Sequence, residues 1–285
     1  WARVGEVIEV PEADRGAWVH AVTSWRMQTR TDPWVNILRD TIACFAAAAG
    51  GADAITVLPY DHALGLPTAF SRRVARNTQS LLSSESNVAR VADPAGGSAY
   101  VEALTDELAR AAWTWFGELD ASGGAAAALA AGTVAERLAA TRAERDEALA
   151  TRAMPITGTS TFPLAGEELL TREARPEATA GGLLRHRDGE VFEELRARTA
   201  GGEAPRVLLV SPGTRRDFGA RQTFAANLLA VAGIGADLAE GVDADGAAEA
   251  ARSGGHTVAV LATSPKVNAS VGADVIAALR DAGVG

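Results

Sequence analysis

Asp32-Pro33-Trp34-Val35-Asn36 opens a helical pattern that runs to Gly50-Gly51 and is followed by Ile55-Thr56-Val57-Leu58-Pro59. The fold is decided on this stretch. Asp32 reads as an N-cap with Pro33 at the first helical position. Apolar residues at 34, 35, 38, 42, 45 and 46 keep one face, and small residues at 46–50 let that helix lie close to a sheet. Gly50-Gly51 ends it. Residues 55–58 are a short apolar run of strand type, and residues 17–23 upstream form a β-favouring run of their own. Downstream, residues 70–84 predict a helix with Val74, Leu81 and Leu82 inward. Residues 88–92 predict a third strand, and residues 100–119 a long amphipathic helix. Strands alternating with helices signal a parallel-sheet α/β architecture. Three strands cannot close a barrel. The units therefore belong either to an open sheet or to a (β/α)₈ barrel whose other strands lie upstream. The chain starts at Trp1, in helix-like sequence rather than at a methionine, which favours missing strands and a longer parent chain.

Composition narrows the class. The 285 residues suffice for two domains, with 47% hydrophobic and 22% charged residues, ordinary values for a globular protein. A net charge of −9 argues against nucleic-acid partners. Gly, Arg and Glu interrupt the alanine-rich runs, so no membrane span is expected. Cys44 is the single cysteine, which excludes an internal disulfide and a cysteine metal site and suits a reducing cytoplasm. It reads as a buried structural thiol. Lys266 is the only lysine beside many arginines, which reads as genomic composition.

Beyond the first domain, taken as residues 1–119, the pattern changes. Residues 120–204 read as a helical and irregular linker belt that packs on a domain. Residues 205–285 read as a second domain: strands at 206–210, 235–239 and 258–262, a loop over 211–220, and helices at 221–232, 245–252 and 271–282. That order is the opening of a flavodoxin-like doubly wound sheet.

The central stretch resembles the methylmalonyl-CoA mutase family, the adenosylcobalamin-dependent carbon-skeleton isomerases. The matching residues are Asp32-Pro33-Trp34-Val35-Asn36, Phe70-Ser71-Arg72-Arg73-Val74-Ala75-Arg76-Asn77-Thr78-Gln79, and Asp93-Pro94-Ala95-Gly96-Gly97-Ser98 followed by Tyr100-Val101-Glu102. The resemblance implies that residues 1–119 are the last βα units of an acyl-CoA-holding (β/α)₈ (TIM) barrel. It implies a domain of cobalamin-binding type over 205–285.

Departures from the family pattern single out its small-subunit branch. Catalytic chains hold cobalt through the His of an Asp-x-His-x-x-Gly loop, whose Asp fixes the ring tautomer. Here Thr214 stands for the Asp and Arg216 for the His, and Gly219 is kept. Arginine stays charged and has no free lone pair, so it cannot ligate cobalt. The region after the third strand, Ala262-Thr263-Ser264-Pro265-Lys266, lacks the glycine pair that admits the nucleotide tail. The catalytic Asn-Ala-Leu-Asp-Glu loop becomes Leu58-Pro59-Tyr60-Asp61-His62, and His-x-Gln-Thr-Ser becomes His20-Ala21-Val22-Thr23-Ser24. The resemblance thus implies a structural chain with no cofactor, paired with a catalytic large subunit that carries adenosylcobalamin and meets acyl-CoA only in the complex.

The barrel-mouth candidates are His20, Tyr60, Asp61 and His62. With Val22 in place of Gln, His20 reads as a packed strand-end histidine. Asp61 and His62, adjacent in a strand-end loop, could do acid–base chemistry or could simply shape the loop. His186 and His256 read as solvated. No two histidines stand four apart, so there is no metal signal. Gly96-Gly97-Ser98 reads as a tight helix entry. Arg72, Arg73 and Arg76 suit a solvated face, intersubunit pairs or phosphates. The loop at 213–219 could bind an anion or fill an inactive cofactor cleft.

Overall fold

The computed structural model describes residues 2–164, 166–176, 185–200 and 204–285. The chain forms two compact units. The first comprises residues 1–28, 34–154 and 171–185; the second comprises 29–33, 155–170 and 186–285.

In the first unit, α1 (Ala2–Val7) precedes β1 (His20–Val22), α2 (Val35–Ala49) and β2 (Ala54–Thr56). β1 and β2 pair in parallel, with His20 opposite Ala54 and Val22 opposite Thr56. α2 is the crossover that such a pair requires. It buries Asn36, Asp40 and Cys44, three positions spaced by one turn. α3 (Ala69–Ser80) is capped by Thr68, whose hydroxyl accepts from Ser71 N, and continues into a π-type turn at Leu81–Glu85. α4 (Ala99–Ala121), α5 (Ala125–Ala130) and α6 (Thr133–Ala150) follow. Ser98 caps α4 after a left-handed Gly97. Cys44, Val57 and Ala75 form the small core, with Ile55 and Leu82 against it.

The expectations over 32–92 need correction at three points. α2 begins at Val35 rather than after an Asp32 cap. Asp32 sits at φ +42°, where an N-cap does not, and its N–H donates to Glu167. α3 turns Ser71, Ala75 and Thr78 inward, whereas Leu81 is exposed. Residues 88–92 pair with no strand among the described residues and contain only a 3₁₀ turn, Val88–Arg90. A strand needs a neighbouring edge to satisfy its backbone.

In the second unit, α7 (Glu190–Ala197) leads to β3 (Arg206–Ser211), α8 (Arg215–Val231), β4 (Gly235–Glu240), α9 (Ala244–Gly254), β5 (Ala259–Leu261) and α10 (Pro265–Asp281). The sheet is parallel, in the order β4-β3-β5. β3 is central and buried from Val207 to Ser211, as a continuous apolar run demands in a covered parallel sheet. Leu208 and Val210 pack with Ala247 and Ala251 of α9 and with Val275 and Leu279 of α10. Two helices start a full turn or more before the expected residues. Thr214 and Asp217 form a capping box that begins α8 at Arg215. Ser264 caps α10 with Pro265 in its first turn. Within the same unit, residues 29–33 are held by carboxylates: Arg30 N donates to Glu193 and Asp32 N to Glu167. Arg187 and Arg196 pair with those two acids.

Candidate functional site

The loop after β2 carries three of the four barrel-mouth candidates and is tied down on every side. Leu58 N donates to Thr23 Oγ1 at 2.9 Å, which continues the strand register into the loop. Asn36, buried on α2, donates through Nδ2 to Tyr60 O at 2.8 Å. The Tyr60 ring stacks on Trp34, centroids 4.7 Å apart, and meets Phe70 edge-on. Burial, helped by the neighbouring Asp61, pushes the Tyr60 hydroxyl above its usual pKa. Two tight turns follow, His62 N to Pro59 O and Leu64 N to Asp61 O. At Gly65 the chain passes so near Glu173 O that a Cβ would stand 2.3 Å from it, so only glycine fits.

Asp61 is 0% exposed. Its Oδ2 accepts from Arg172 Nε at 2.6 Å and from Thr68 N at 3.5 Å. The buried carboxylate is therefore paired with the Arg172 guanidinium. His62 packs edge-on against Trp25, ring centroids 4.8 Å apart. Arg175 Nη2 donates to His62 Nδ1 at 2.5 Å and to His62 O at 3.0 Å. Since arginine only donates, Nδ1 is the acceptor and the neutral ring keeps its proton on Nε2. Burial first, and then the charges of Arg175 and Arg185, lower the His62 pKa to about 4 against a weaker pull from Asp61. Both members of the Asp61–His62 pair are thus engaged by arginines, Arg172 and Arg175. A neutral imidazole whose lone pair is taken cannot act as a general base near pH 7. Sequence reasoning missed Arg172 and Arg175, since nothing local to the β2 loop points to residues 111 and 113 positions away.

His20 is not part of this group. It is exposed rather than packed; its Nε2 lies 2.8 Å from Thr56 Oγ1 and its ring tilts against Trp18. A period-two strand with one open face turns it to the outside. His256, expected to be solvated, instead has its side chain 8% exposed, 3.4 Å from Asp237. His186 is exposed as expected, 3.8 Å from Glu190. Cys44 is buried, and that burial raises its thiol pKa. Arg72, Arg73 and Arg76 are exposed on α3, with Arg73 lying over the Phe70 ring. Among the described residues, no three His, Cys, Asp or Glu side chains gather as a metal site. None of the described helices is long and apolar enough to cross a membrane.

The segment with Thr214, Arg216 and Gly219 has a different form from the expected loop. Only Pro212, Gly213 and Thr214 separate β3 from α8, so Arg216 and Gly219 lie in the helix. Asp217 accepts from Thr214 Oγ1 at 2.6 Å and Thr214 N at 3.0 Å. Those hydrogen bonds, with help from Lys266 and Ser264, hold its carboxyl below the ordinary range. Gly213, at φ +95°, makes the turn, and a Cβ there would crowd Val267 and Asp217. Phe218 is buried beneath, and Arg216 points to solvent. The donor set does not fit a cobalt ligand: the position is a guanidinium, and the adjacent carboxylate is spent on capping the helix.

The fold and these sites define a parallel α/β chain whose strand-end residues are engaged internally. The model of the methylmalonyl-CoA mutase family matches residues 7–200. The chain is 52% identical over 289 residues to the methylmalonyl-CoA mutase small subunit of Streptomyces virginiae, covering 99% of this chain and 47% of that protein. It is 48% identical to the small subunit of Propionibacterium freudenreichii subsp. shermanii, over 99% of this chain and 45% of the relative. It is 40% identical to the methylmalonyl-CoA mutase of Cereibacter sphaeroides over 52% of this chain. The chain belongs to the methylmalonyl-CoA mutase family. It spans about half the length of the curated relatives it matches.

Proposed function

We propose that the chain is part of a structural, non-catalytic small subunit of an adenosylcobalamin-dependent mutase interconverting (R)-methylmalonyl-CoA and succinyl-CoA. On this reading residues 1–119 are closing βα units of a TIM barrel, 120–204 a belt, and 205–285 a flavodoxin-like domain of degenerate cobalamin-binding type. The catalytic large subunit carries the cofactor, and acyl-CoA is met only in that complex, in the cytoplasm.

The observation that carries the proposal is the start of α8. Arg216 occupies the slot of the family's cobalt ligand, and the Thr214–Asp217 capping box makes that slot the first turn of a helix. The barrel mouth agrees: His62, in the slot of the family's cofactor-facing Glu, is neutral and already holds Arg175. Spectroscopic titration of the purified chain with adenosylcobalamin tests the reading. No spectral change, with mutase activity appearing only after a large subunit is added, supports it. Tight binding with a shifted cobalamin spectrum, or activity of the chain alone on methylmalonyl-CoA, refutes it in favour of a catalytic chain that binds cobalamin without a protein ligand.

A further inference from the structure

We propose that Arg175 and Arg185, set around Trp25, form a binding site for a phosphate-type oxyanion. The guanidinium carbons of the two arginines lie 5.9 and 5.7 Å from the centre of the same indole ring. They are close enough for Arg185 to lower the proton affinity of Arg175, and for both to lower that of His62. Like charges gathered this way repel unless an anion joins them. The carboxylate that reaches this group is Asp61, and it is already bound to Arg172. His62 contributes a neutral ring that accepts one N–H from Arg175. Two positive charges are therefore left without a carboxylate of their own among the described residues.

A second observation is independent of the charges. The indole Nε1–H of Trp25 is buried and has no acceptor among the described residues. A buried donor without a partner is rare and marks a site where an acceptor belongs. The cluster thus offers two exposed guanidinium forks beside a ring whose N–H has no acceptor among the described residues. A carboxylate satisfies one fork. A phosphate group, with three or four oxygens and about two charges, can meet both forks. The ligand could be free inorganic phosphate or the phosphate of a larger ester; the chemistry recognised is the same. The site is independent of the chain's catalytic standing, since it uses neither the α8 segment nor a proton on His62.

The test uses the complete chain and titrates inorganic phosphate, adenosine monophosphate and acetate, followed by calorimetry and by the ring resonances of His62. Both arginines are exposed, so Arg175→Gln and Arg185→Gln should fold, which circular dichroism verifies. Phosphate should bind saturably, and neutralising the two guanidiniums should move the His62 titration upward from about 4. Either substitution should weaken binding by about tenfold or more, whereas Arg73→Gln on α3 should leave it unchanged. Tighter binding of the monophosphate than of free phosphate assigns the site to an ester, and the reverse assigns it to the free ion. The proposal is overturned if neither phosphate binds, if acetate binds as well as phosphate, or if Arg175→Gln and Arg185→Gln leave binding and the His62 response intact.

Discussion

Replacing Asp40 by asparagine should stabilise the chain above pH 6 and not in acid. Asp40 sits mid-helix on α2, 2% exposed, with Oδ1 accepting from Gln28 Nε2 at 2.8 Å. Burial raises its pKa to about 6, although hydrogen bonds from Thr23 and Gln28 and the charge of Arg39 pull the other way. The folded carboxyl therefore holds its proton more tightly than the unfolded one, whose ordinary value is 3.8. Its contribution favours the native state when protonated and is lost as pH rises from 3.8 through about 6. Above both values, the difference between about 6 and 3.8 costs the fold about 3 kcal/mol. Asparagine removes that charge penalty. It also places an amide where Oδ2 has no hydrogen-bond partner among the described residues, at a cost of about 1 kcal/mol. The net gain of about 2 kcal/mol should raise the melting temperature of the first unit by about 4–8 °C. Below 3.8 the gain should vanish or turn into a slight loss. Thermal melts of wild type and Asp40→Asn across this range measure it. Equal shifts above and below the window, or destabilisation above it, would refute the reasoning.

His62 should act in the opposite sense: with its folded pKa depressed to about 4, its contribution to stability is complete above 6.5 and is lost as pH falls towards 4. His62→Gln should flatten that slope, and NMR should show the folded ring neutral at 6.5 and protonating only near 4. Arg172→Met strands the buried Asp61 carboxylate and should cost about 3–5 kcal/mol, whereas Arg172→Met with Asp61→Asn should recover much of it; urea denaturation with a double-mutant cycle measures the difference. Thr214→Ala breaks the capping box and should speed amide exchange in the first turn of α8, leaving α10 unchanged in hydrogen-exchange mass spectrometry. Gly65→Ala should loosen the contact with Glu173, read as faster proteolysis near residues 171–176, because its Cβ has no space beside Glu173 O.

Much of the local structure was legible because its causes are local. Alternating strand and helix patterns show parallel units directly, and β1–α2–β2 and the three strands of the second unit lie close to where periodicity puts them. α8 and α10 start earlier than periodicity puts them although the sequence carries the signals: Thr214-x-x-Asp217 is a capping box and Ser264-Pro265 is a cap followed by proline. Asp32-Pro33 misled because it has the composition of a cap and a different use. Its left-handed backbone and its N–H to Glu167 depend on a residue 135 positions away.

Residue chemistry alone determined that position 216 cannot ligate cobalt. Lone pairs and charge belong to the side chain, whatever surrounds it. It likewise determined that a single cysteine forms no disulfide within these residues and that the chain alternates strand and helix. What becomes of Asp61 and His62 was decided only by tertiary structure. An adjacent carboxyl and imidazole read the same in sequence whether they form a catalytic pair or not. The proton affinity of His62 depends on burial and on which charges stand within a few ångströms. The arginines concerned, Arg172, Arg175 and Arg185, come from more than a hundred residues along the chain, and only folding brings them to the loop.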